Sequence, residues 1–190
     1  MKMETTMEEM KTIYQVEGKL CKDFIGQISY TVCLDQTYGE LDIEFSFGPQ
    51  HFRPEDVTPE LKQRLLDYCK KEYGMEEGTP EEWEDVVYHG MKTEIHTMAT
   101  LNDTFIGNIH RQLTTRHMHF TATEATEGCI PQPAIEGVLK VTILVFSVLL
   151  DDTNYQLTIR AREGRNFLCI RDWNYTIIPT NPTQYLPAKN

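Results

Sequence analysis

Through most of this chain, apolar side chains recur at every second position. That period constrains the fold more than any motif does, because a strand turns successive side chains to opposite faces, whereas a helix repeats every ~3.6 residues. "KTIYQVEGKL", "FIGQISYTVCL" and "ELDIEFSF" predict three strands, joined by short turns at Cys21-Lys22-Asp23 and around Thr37-Tyr38-Gly39. "KTEIHTMATL", "FIGNIHRQL" and "HMHFTATE" predict a second set. "VLKVTILVFSVLL", "YQLTIRARE" and "FLCIRDW" predict a third, its last two strands joined by the turn Gly164-Arg165-Asn166. The expectation is a mainly β (α+β) chain of about nine antiparallel strands in three meanders.

One segment breaks the alternation. Thr58 is a good N-cap, Pro59 suits the first helical position, and Leu61, Leu65, Cys69 and Tyr73 fall on one face, so a helix is predicted over about 59–73, closed by Gly74. The same Thr-Pro-Glu start recurs at Thr79-Pro80-Glu81 and predicts a second, short helix. Val138 to Leu150 is apolar at nearly every position and should be covered on both faces, with the 59–73 helix as the natural cover. The predicted architecture is a strongly bent antiparallel sheet or an open up-and-down barrel with that helix packed on it; a two-sheet sandwich is the alternative. Val141, Ile143, Val145, Leu149, Phe105, Ile109, Phe120, Leu65 and Leu157 are the expected core. One domain is expected over 1–190, with a flexible N-terminus at 1–10 and a proline-containing tail at 174–190.

"KTIYQVEGKLCKDFIGQI" and "KTEIHTMATLNDTFIGNI" align without gaps, which suggests equivalent hairpins, yet the second copy alone carries histidines. "GNIHRQLTTRHMHF" holds three of the six histidines in the chain. With a turn at Asn102-Asp103-Thr104, His96 comes opposite His110; with a turn at Thr114-Thr115, His119 also comes opposite His110, and His117 lies one pleat further. At a strand spacing of ~4.8 Å, such a row is within reach of one ion. His96, His110, His117 and His119 are therefore the candidate metal ligands, for a divalent transition metal such as Zn²⁺. His-x-His on one strand with a histidine from a neighbour resembles the ligand arrangement of carbonic anhydrases and cupins, in that spacing alone; the glycine-rich motifs of cupins are missing.

Other candidates are a Cys129 nucleophile in the loop "TEGCIPQP" and a stripe of Arg160, Arg162, Arg165 and Arg171 that could clamp a carboxylate or phosphate. No P-loop, dinucleotide fingerprint or GxSxG is present. The formal charge of −11 argues against nucleic acid and anionic membranes as partners. Residues 1–90 hold 20 acidic and 9 basic side chains, whereas 91–190 hold 9 of each, so the whole excess lies in the first half. Five cysteines without a CxxC, an N-terminus without an apolar core and the lack of a membrane-length apolar run predict a cytoplasmic protein. The expected function is that of a non-enzymatic binder of a small molecule, housed by the bent sheet. The alternatives are a metal-dependent enzyme or metal-binding protein using the histidine row, and a protein-interaction module using the acidic face.

Overall fold

Seven strands are formed in the computed structural model, which describes residues 9–73 and 79–164. They are β1 (Lys11–Leu20), β2 (Gly26–Gly48), β3 (Glu94–Leu101), β4 (Thr104–Ile109), β5 (Thr115–Thr121), β6 (Ile135–Ser147) and β7 (Thr153–Glu163). All pairings are antiparallel and belong to one open sheet of order β1-β7-β2-β6-β3-β4, with β5 added to β2. It neither closes into a barrel nor curls strongly, and it is one sheet, so the barrel, the strong bend and the sandwich expected from the pattern are all corrected. The expected count of strands falls because two of the predicted strands fuse into β2 and "FLCIRDW" lies outside the described residues. The flexible N-terminus, apart from its last two residues, and the 174–190 tail lie outside them too, as do Arg165 and Arg171.

β2 is the reason that the meanders do not form. It runs for 23 residues through the turn expected around Thr37-Tyr38-Gly39. Register slips between Leu34 and Tyr38, and between Tyr38 and Glu40, absorb the turn residues as irregularities within the strand. Its first half pairs with β6; its second half lies between β7 and β5. Thus β6 and β7 are consecutive in the chain but separated by β2, and β1 pairs with β7 rather than with β2. The gapless internal match therefore does not mark two equivalent hairpins: only β3–β4 is one. Its turn is the residue pair Asn102-Asp103 rather than the three residues expected, since Thr104 already pairs with Leu101, and both turn residues lie in the left-handed region at φ 50° and 62°, as a type I′ turn requires.

The alternation predicts the buried face well, with an instructive exception. Val141, Ile143, Val145, Ile109, Phe120 and Leu157 are buried in one continuous core, while Leu149 and Leu65 are half-buried. Phe105, expected inside, is 42% exposed, and Ile106 takes its place. An irregularity opposite Ala99 and Thr100 shifts the register by one and turns β4 over at that point.

The second face of β6 is covered only in its middle, where Thr142 is buried and Lys140 and Leu144 are half-buried. Leu139, Val141, Ile143 and Val145 are buried, but Val138 and Phe146 on the other face are 42% and 51% exposed. The helix expected to cover them is formed as α1 (Pro59–Tyr73), capped by the Thr58 hydroxyl, which accepts from the Leu61 amide, and its inner stripe is Leu61, Leu65 and Cys69. Its principal contact is with the π-helical turn Val86–Gly90 that follows the short α2 (Pro80–Asp85). α2 begins at the expected Thr79, whose hydroxyl accepts from the Glu82 amide while the Glu82 carboxylate accepts from the Thr79 amide, a capping box. No helix of the described residues is long and apolar enough to cross a membrane.

Ile143 sits in the middle of the sheet, opposite Ile28 on β2 and Thr97 on β3. Truncating it to alanine removes buried methyl groups from a site flanked on both sides, so Ile143→Ala should lower the unfolding free energy by ~2–5 kcal/mol, read by urea denaturation. A loss within error would show that β6 is not the centre of the core.

Candidate functional site

Three chemistry-bearing groups lie at or beside the end of β4 and the start of β5. His96 and His110 meet as the expected register requires: the slip within the β3–β4 hairpin brings Thr97 opposite Ile109, and the two imidazoles approach edge to face with centroids 4.9 Å apart. His119 does not join them. β5 leaves β4 and pairs with β2, so that His117 and His119 stand opposite Glu44 and Asp42. The four histidines therefore form two groups, separated because β5 adds to a different strand from the one that hydrophobic matching selected.

The first group is a chain of hydrogen bonds. His96 Nε2 donates to Glu94 Oε1 at 3.1 Å, which leaves the Nδ1 of a neutral His96 as an acceptor. His110 donates to it from Nδ1 at 3.1 Å, so the free lone pair of His110 is on Nε2. His96 also lies against the Phe146 ring, centroids 4.7 Å apart. Burial in this apolar setting holds its pKa below the ordinary imidazole value, although the Glu94 carboxylate pulls the other way.

The second group is a charged face spanning β5, β2 and β7. On β2, Glu40, Asp42 and Glu44 alternate outward; β5 supplies His117 and His119 on one side, and β7 supplies Arg160 and Arg162 on the other. His117 Nδ1 donates to both oxygens of Asp42 at 3.2 Å, and His119 Nε2 is 3.4 Å from Glu40. Arg160 donates to Glu44 at 2.6 Å and is 3.5 Å from Asp42, while Arg162 donates to Glu40. The arginine stripe expected as an anion clamp is thus engaged by the chain's own carboxylates.

The third group escaped the sequence reading. Arg116 occupies the inner row of β5, in phase with Met118 and Phe120, and is 2% exposed. Its guanidinium donates to the carbonyl of Leu113 through Nε and Nη2, at 3.2 and 2.7 Å, and to that of Ile95 through Nη1 at 2.5 Å. It lies over the rings of Phe45 and Phe47, 5.7 and 5.6 Å from their centroids. Two carbonyls and two rings engage the guanidinium without neutralising its charge; among the described residues it has no carboxylate partner. Burial accordingly lowers its pKa to about 10. The signal was present: the period that puts Met118 and Phe120 inside puts Arg116 inside as well.

Arg116, His110 and His117 border one cleft of about 390 Å³ between the end of β4, the start of β5 and the 126–128 loop. Arg111 is on its rim, paired with Glu127. The loop closes against Gly107, where a Cβ would come within 2.5 Å of the Cys129 sulfur, and turns at Gly128, with φ +88°. Cys129 itself is no activated nucleophile, because burial pushes its thiol up to about 11.

A family whose description reads "Family of unknown function (DUF6669)" matches residues 7–165, a span that contains every strand and the whole cleft. No curated protein matches the chain.

Because the folded pKa of His96 lies below its unfolded value, its contribution to stability is present above pH ~6.5 and is lost as pH falls through the folded value. Stability should therefore drop between pH 7.5 and 5, and less steeply in His96→Gln. Parallel curves for the two proteins would show that His96 does not titrate differently on unfolding.

Proposed function

We propose that this chain, which belongs to the family of unknown function DUF6669, is a binding protein whose β4–β5 cleft takes a small anion of the carboxylate or phosphate class. One observation carries this reading: a guanidinium 2% exposed, with no carboxylate against it, borders a cleft of small-molecule size. Leaving a buried charge uncompensated costs several kcal/mol, and three carbonyl contacts offset that only in part. An anion in the cleft supplies the missing charge.

The rim is suited to the same ligand. It carries a second guanidinium, that of Arg111, which is paired with the exposed Glu127. In a chain of net charge −11, a cleft lined by two arginines against one carboxylate, Glu127, holds a local excess of positive charge. A cleft of about 430 Å³ over Gly18 and Phe47 lacks any such convergence of cations.

Inorganic phosphate and succinate, each at matched ionic strength, are the probes. Both should raise the melting temperature of the wild type above a sodium chloride control. The increment should shrink in Arg116→Lys, which keeps the charge without the fork, and vanish in Arg116→Met. No increment in the wild type, or an equal one in a folded Arg116→Met, would overturn the reading.

A further inference from the structure

We infer that Asp42, Glu44 and His117 form a binding site for one divalent transition-metal ion of the Zn²⁺ or Mn²⁺ kind. One ligand atom from each of the three lies within 4.8 Å of the other two. The His117–Asp42 separation of 3.2 Å already has the spacing of two donors on one ion, which at bond lengths of ~2.0–2.2 Å lie roughly 3–3.5 Å apart. The remaining gaps close by ~1–2 Å, within reach of a Glu44 rotamer change.

The backbone holds these donors rigidly. Asp42 and Glu44 are consecutive outward positions in the part of β2 that is paired on both edges, and His117 is the direct partner of Glu44 across the β5 pairing. Asp42 is only 9% exposed, so its charge is poorly hydrated and gains from a close cation. Three carboxylates stand on this face against two guanidiniums, which leaves one negative charge for a cation to balance. Arg160 Nη1 lies against Oε2 of Glu44 at 2.6 Å and Oδ2 of Asp42 at 3.5 Å, so the ion takes the other oxygens, Oε1 of Glu44 and Oδ1 of Asp42, the latter 3.2 Å from His117 Nδ1. An imidazole with two carboxylates suits Zn²⁺ or Mn²⁺ and leaves coordination positions open to water. Binding displaces the His117 Nδ1 proton that now goes to Asp42, so the ion competes with protons.

The site lies outside the cleft apart from His117, so the two readings can fail separately. The untagged full-length chain is loaded with Zn²⁺, desalted and assayed for bound metal. About one ion per chain should stay on the wild type and on His96→Ala, with affinity lowered about ten-fold or more in Asp42→Asn and in Glu44→Gln. The phosphate increment should be unchanged in Glu44→Gln, which keeps the test usable if Asp42→Asn fails to fold. A wild type that retains no zinc overturns the inference. Zinc kept by Glu44→Gln and lost in His96→Ala also overturns it, and places the ion on the His96–His110 pair.

Discussion

The uninterrupted run of β2 is the constraint from which the rest follows. A strand of 23 residues has far more backbone donors and acceptors than one neighbour can satisfy, and each left buried and unpaired is costly. Its two halves therefore recruit different partners. The first takes β6 and the second takes β7 and β5, which separates elements that are adjacent in sequence. Pairing β5 with β2 also removes it from β4, and the cleft lies where those two strands would have met. The same pairing places Glu40, Asp42 and Glu44 between two histidines and two arginines.

Which side chains face inward was legible, because alternation is a local property of a strand. Ile143, Phe120 and Leu157 are buried as their phase requires, and Thr58 and Thr79 cap the helices that their neighbours announced. Which strand lies beside which was not legible. Alternation in "ELDIEFSF" fits any neighbour that offers an apolar row, and the residues Thr37-Tyr38-Gly39, which read as a turn, are as compatible with a register slip. The His96–His110 pair came out because one local hairpin carries it, the slip at Ala99 and Thr100 making up for a turn one residue shorter than expected; His119 did not reach it because its place depended on the next, longer-range pairing. At Phe105 even the phase failed, since one irregularity exchanges the two faces.

The charged residues show the same division. Carboxylates at every second position of β2, histidines at two such positions of β5 and arginines at two of β7 can all be read as outward rows. Only the topology turns three separate rows into one network. Half-buried cross-strand pairs of this kind contribute little net, because the cost of desolvating the charges offsets much of their attraction. The network is therefore better understood as fixing rotamers than as stabilising the fold, and a fixed rotamer is what a ligand-bearing His117 needs.

Arg116 and Arg160 place the same charged group in two different settings. Arg160 is partly solvated and faces two carboxylates, so its charge is neutralised within the chain. Arg116 is buried beside Phe45 and Phe47, and its three hydrogen bonds all go to backbone carbonyls. A methionine at that position of β5 would continue the apolar row with Met118 and Phe120 without the desolvation cost, and volume-conserving swaps of this kind are tolerated in cores. The fold therefore does not require a cation there. On the reading proposed above, the cation serves an anion, and the cleft between β4 and β5, which Arg116 borders, is where that anion would lie.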